Sequence, residues 1–142
     1  VSQGEGDQPD AHAYLREALR LDRASREGEA IGHYRKALAL GLSMEEQVLA
    51  TICLGSSLRN VGEAEESHRL LAPLAASNNA AFLFQALALY DCREYRRASG
   101  LLMERLLALL VERDDPDVRP FARPLARYVE RVLDDARGDV NL

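Results

Sequence analysis

Lysine is nearly missing from this chain of 142 residues: Lys36 is the only one among 18 basic side chains. The arginines are spread through the sequence with no basic block, and the formal net charge is −5. A nucleic acid or an anionic membrane needs a clustered positive field to offset its phosphates, so neither is expected as a partner. Cysteine is scarce as well. Cys53 and Cys92 stand far apart in apolar helical contexts, which predicts reduced, buried thiols in a cytoplasmic protein rather than a disulfide framework. Long apolar runs are also lacking. Gln85, Asp91, Glu104 and Glu112 interrupt the most hydrophobic stretches, so no run reaches the roughly 18 residues of a membrane helix. Residues 1–10 are polar, acidic and glycine-rich, without the cationic start and apolar segment of a signal peptide. They read as a disordered tail.

The strings that carry chemistry are absent too. There is no H-E-x-x-H, no paired C-x-x-C and no phosphate-binding Gly-Lys-Ser/Thr loop. His12, His33 and His68 fall in different helical segments with no common face, which favours packing or exposed histidines over catalysis or zinc ligation. Asp114, Asp115 and Asp117 surround Pro116 but lack the alternating oxygen ligands, central glycine and terminal glutamate of a calcium loop, so helix capping is the better reading. No catalytic residue, metal ligand or cofactor is expected, and the chain is not read as an enzyme.

What is present is hydrophobic periodicity. Apolar residues recur at helical spacing almost everywhere after Asp10, and β-branched alternation is missing, so the fold is expected to be all-α. Breaks near 26–28, 41–43, 60–62, 76–79, 91–94 and 113–116 cut the chain into segments of about 12–20 residues, ordinary helix lengths. Gly41 ends one helix, and Ser43 with Glu46 forms a capping box for the next. Asn78 or Asn79 is placed to cap the helix that follows, and the acidic group around Pro116 to start the last one.

Small and large residues repeat along these segments. Tyr14, Ala18 and Leu21 are followed by Ala30, Tyr34 and Ala37. Leu54, Gly55 and Leu58 are followed by Gly62, Ser67, Leu71 and Leu74. Phe82, Ala86 and Leu89 are followed by Tyr95, Ala98 and Leu102. Gly or Ala where two helices cross permits close approach, and the larger residues fill the flanking gaps. With a period close to about 34 residues, this pattern resembles the tetratricopeptide repeat. The units begin near Ala11, Val48 and Asn79, so the first connection is about three residues longer than the ideal period and the second about three shorter. Glu17, Gln85, Ser67 and Arg105 depart from the residue types the family prefers. The closer resemblance is to small free-standing bacterial members of the family, and it implies dimerisation.

The resemblance implies three helical hairpins in a right-handed superhelical array, at about 11–44, 48–78 and 79–112. A capping helix is expected at 117–137, since a solenoid otherwise exposes its last stacking surface. Val118, Phe121, Leu125, Val129, Val132 and Leu133 supply its apolar face. Pro124 should kink that helix or delay its start, and residues 138–142 are expected to fray. The family's clamp for a carboxylate terminus uses Lys and Asn; the matching positions here carry His12, Arg16, Cys53, Ala80 and Phe84, so that binding mode is not expected.

On the first helix of each hairpin, Leu15, Leu19, Asp22, Ile52, Ser56, Arg59, Leu83, Leu87 and Tyr90 should line a concave apolar face. The segment from Ala80 to Tyr90 is hydrophobic on all sides except at Gln85, a pattern of burial all round. Its own hairpin covers only part of it. The expected cover is a second copy, ranked ahead of a foreign helix or the chain's own terminal helix folded back. The functional expectation is a protein-interaction module, probing a protein or peptide partner with Leu15, Leu19, Ile52, Ser56, Arg59, Leu83, Leu87 and Tyr90, and forming a homodimer. The alternative is a structural or regulatory fragment whose groove is closed in cis.

Overall fold

The computed structural model describes residues 9–140. Most of the expected N-terminal tail, residues 1–8, lies outside the described residues, as do 141 and 142. The described chain is helical throughout: α1 (Ala11–Arg23), α2 (Glu27–Leu40), α3 (Met44–Asn60), α4 (Ala64–Ala75), α5 (Asn79–Asp91), α6 (Tyr95–Glu112) and α7 (Ala122–Val140), with a 3₁₀ turn at Arg119–Phe121 before the last helix. No helix among the described residues is long and apolar enough to cross a membrane.

Side chains close several helix starts. Asp10 accepts from the Ala13 amide at 2.7 Å, and Asn78 from the Ala81 amide at 2.9 Å. Ser43 accepts from the Glu46 amide at 3.3 Å, and its hydroxyl donates to the Glu46 carboxylate at 2.7 Å. Each satisfies donors that the first helical turn leaves without an internal partner.

One turn recurs in all three hairpins. Ser25, Gly62 and Arg93 adopt left-handed φ values of 57°, 90° and 63°. The next amide then donates back five residues, from Arg26 to Leu21, Glu63 to Leu58 and Glu94 to Leu89, at 2.9, 2.8 and 3.0 Å. This is the Schellman closure of a helix end. The end of α6 repeats it, with Asp114 at φ 54° and the Asp115 amide on the Leu110 carbonyl. Leu21, Leu58 and Leu89 therefore occupy equivalent places, all buried, in the register that the residue pattern predicts.

Packing divides the chain into two compact units, the first ending at Gln85 and the second beginning at Ala86, within α5. In the first unit, Leu15, Ala18, Leu21, Ala30, Ile31, Tyr34, Ala37, Ala50, Leu54 and Leu58 form one core. Four of them are fully buried alanines, the small residues that let helices approach. At Gly55 a Cβ would stand 2.7 Å from Leu71, so α3 and α4 meet there in a contact only glycine permits.

Two family departures have physical reasons. Ser67 stands where alanine is usual, and its hydroxyl donates to the Gly55 carbonyl at 2.7 Å across the α3–α4 contact. Gln85, also buried, places its amide 3.4 Å from Nδ1 of buried His68. A further polar tie joins α1, α2 and α3: the Tyr34 and Ser57 hydroxyls both donate to the Asp22 carboxylate, the latter at 2.8 Å. Buried polar groups persist where they are bonded, and no described buried side-chain polar atom lacks a partner. Cys53 beside this cluster and Cys92 are half-buried thiols outside any disulfide, rather than fully buried ones.

In the second unit, α7 packs on α6. Gly100 makes this possible, since a Cβ there would lie 2.7 Å from Leu133. Asp115 accepts from the Asp117 and Val118 amides at 3.0 and 3.2 Å, and Arg119 holds Asp114 through two bonds of 2.7 Å. The helix start is delayed to Ala122, which puts Pro124 in the first turn, where a missing N–H costs nothing. The helix also continues through Gly138 to Val140 rather than ending at 137.

Candidate functional site

The residues expected to line one groove have different fates. Leu15 is corrected: at 5% exposure it belongs to the core of the first unit and offers a partner almost no surface. Its helix turns that face inward against α2. Leu19 is packed against the same core, and Ile52, Ser56 and Arg59 are half-buried on α3. Asp22 is occupied by the Tyr34 and Ser57 hydroxyls.

On α5 the picture differs. Leu83, Leu87 and Tyr90 are 54%, 43% and 60% exposed, at a spacing of four and three residues that places them on one side of the helix. Ala81, Phe82, Gln85, Ala86, Ala88 and Leu89 make up the buried side. The chain itself covers α5 on one side only. Large apolar residues cover its circumference, and three of the six, Leu83, Leu87 and Tyr90, face solvent. Tyr90 is braced by Tyr95, their rings in edge-to-face contact with centroids 5.1 Å apart. Within the second unit α7 lies on α6 and leaves Leu87 and Tyr90 open.

A model of the tetratrico peptide repeat family matches residues 11–123. The chain belongs to the tetratricopeptide repeat family. No curated protein and no solved structure matches it. Tetratricopeptide repeats generally mediate protein–protein interaction on a scaffold without catalysis of its own. The match ends just after α7 begins, so nearly all of that helix lies outside the matched residues.

The sequence reading missed a second apolar surface of this tetratricopeptide-repeat chain, at α6 and α7. Their facing residues are splayed into an open cleft of about 290 Å³, lined by Met103, Leu106, Leu107 and Leu110 from α6 and by Leu125, Tyr128, Val129 and Val132 from α7, with Val118 at one end. Phe121 and Leu125, expected on the sealed face of the cap, are exposed. Phe121 is left on the 3₁₀ turn ahead of the helix, and Leu125 opens into the cleft. The available signal was Met103 and Leu106 on α6, apolar residues beyond those the repeat pattern accounts for.

Some of the charge elsewhere is paired within the chain. A polar hollow of about 500 Å³ at the start of α6 contains Arg93, Arg96 and Arg97, but Arg96 meets Asp139 at 3.1 Å and Arg97 meets Glu94 at 3.6 Å. The three histidines engage three separate partners: His12 meets Glu46, His33 the Glu29 carbonyl, and His68 the Gln85 amide. Among the described residues, no group of three His, Cys, Asp or Glu side chains is placed to share a metal.

Proposed function

We propose that this tetratricopeptide-repeat chain holds another polypeptide against the outer face of α5, with a second copy of itself as the first candidate and a helix of a partner protein as the other. The observation that carries the reading is the exposure of Leu83, Leu87 and Tyr90 on one side of a single helix. Isolated apolar side chains on a surface are ordinary, but three large ones in register form an anchor row for a helix laid alongside. Tyr90, with Tyr95 beside it, supplies the rigid aromatic surface on which binding energy tends to concentrate. The family's general role supports a binding module over an enzyme. Closure in cis by the terminal helix has less support, because α7 is engaged with α6.

A photoreactive benzophenone side chain at position 87 tests the contact directly. Irradiation of the purified chain should yield a covalent adduct of two copies, or in source cells an adduct with another polypeptide. Recovery of the chain without any adduct in both settings contradicts the proposal.

A further inference from the structure

We infer, on the reading of α5 proposed above, that its outer face pairs with the same face of a second copy, the two helices antiparallel about a two-fold axis level with Gln85. Ala80, Leu83, Leu87 and Tyr90 are all exposed and follow one another at intervals of three, four and three residues. That is the seam spacing of paired helices, which keeps one stripe turned toward the partner. The stripe is also free of charge, since the sequence carries none from Leu70 to Tyr90. A foreign helix chosen by its charge finds nothing along this stripe to orient it, whereas a neutral stripe meets its own image without repulsion.

The stripe complements itself only when reversed. Turned end over end, Leu83 meets Leu87 of the second copy and Ala80 meets Tyr90, so a small residue faces a large one at both ends of the contact. A parallel pair would set Tyr90 on Tyr90 and Ala80 on Ala80, crowding one end and leaving a gap at the other. Charge selects the same direction. Asp91 is exposed and lies four residues beyond Leu87, so it stands on the stripe side at the C-terminal end of α5. A carboxylate there opposes the dipole of its own helix. Reversal places it over the first turn of α5 in the second copy, beside Asn79, where the dipole favours a negative charge. Parallel helices would instead bring the two carboxylates together.

Disulfide trapping in the full chain reads the register. In a Cys53→Ala/Cys92→Ala background, Leu83→Cys and Leu87→Cys are made separately, then oxidised alone and as an equimolar mixture. Antiparallel pairing brings position 83 of one copy to position 87 of the other, while the two copies of position 83 are offset by about 6 Å along the helix and by its width. The mixed disulfide should therefore form at least about tenfold faster than a disulfide in either variant alone. A second set keeps the native cysteines and changes only exposed positions. Ala80→Tyr and Tyr90→Ala should each weaken self-association in sedimentation by about tenfold, and Ala80→Tyr/Tyr90→Ala, which exchanges the two sizes, should recover it to within about threefold of wild type. Disulfides formed faster by each variant alone overturn the antiparallel direction, and a double variant as weak as the single ones overturns the contact between positions 80 and 90. Both results leave a polypeptide on the face of α5. A wild-type chain that sediments as a monomer, with no disulfide in any mixture, overturns the second copy as occupant, and the benzophenone adduct at position 87 then separates a foreign partner from an empty face.

Discussion

At the scale of single residues, two glycines separate crowding from backbone freedom. Gly55 has no room for a side chain under Leu71, whereas a Cβ on Gly32, inside α2, would meet nothing within 4 Å. Gly55→Leu should therefore destabilise by at least about 1–3 kcal/mol through overpacking, and Gly32→Ala should stabilise by about 0.5–1 kcal/mol through the unfolded chain. Urea midpoints of opposite displacement check the pair. The hydroxyl of Tyr34 makes a second, pH-dependent case. Burial, and then its bond to Asp22, holds its proton far above the ordinary tyrosine value of 10.0. Because the folded value is raised, the contribution is intact below about pH 10 and is lost above it, as the unfolded chain ionises first. Tyr34→Phe should cost about 1–2 kcal/mol at neutral pH, and the gap between the two urea midpoints should narrow as pH rises from about 9 to 11. Burial also raises the Cys53 thiol, so the wild-type decline begins somewhat earlier. The small residues Ala18, Ala37 and Gly55 were legible in the sequence because packing demands their size at fixed offsets. The bonds from Tyr34 and Ser57 to Asp22 were not, because they join side chains from three helices and leave no periodic mark.

At the scale of elements, the six helices of the hairpins were legible to within a few residues, and the exceptions have backbone causes. The turn between α3 and α4 announces itself through Gly62. Ser25, Arg93 and Asp114 take the same left-handed conformation without glycine, so their identity with that turn was hidden. A side chain in this region is strained by about 1–2 kcal/mol, part of which the greater freedom of an unfolded glycine cancels. Ser25→Gly should consequently raise stability by about 0.5–1 kcal/mol, read as a higher thermal midpoint with an unchanged helical spectrum; a lower midpoint would mean that the Ser25 side chain carries interactions outweighing the strain. The last helix was misjudged in a different way. Its apolar residues were legible, but their sealing against α6 was not, since Gly100 fixes the approach of the two helices near Leu133 while the cleft near Leu106 and Leu125 stays open. A list of apolar positions gives a face and no packing distance.

At the scale of the whole molecule, the surface is what distinguishes this member of a binding family. Apolar pattern alone placed Leu15 and Leu83 in the same class, because helical spacing shows that a residue is hydrophobic and not whether a neighbour covers it. The structure separates them, with Leu15 in the core and Leu83, Leu87 and Tyr90 open. The claim that function resides on the outer face of α5 is tested most directly by Leu83→Asp/Leu87→Asp, followed by sedimentation equilibrium and circular dichroism on the same sample. In solvent the two carboxylates remain hydrated, whereas in a covered interface each is an unpaired buried charge costing several kcal/mol, about 3–5 by analogy with broken buried pairs. The account predicts a helical spectrum and a melting midpoint near that of the wild type, with association to a second copy or partner lost. Intact folding with unaltered association would contradict it.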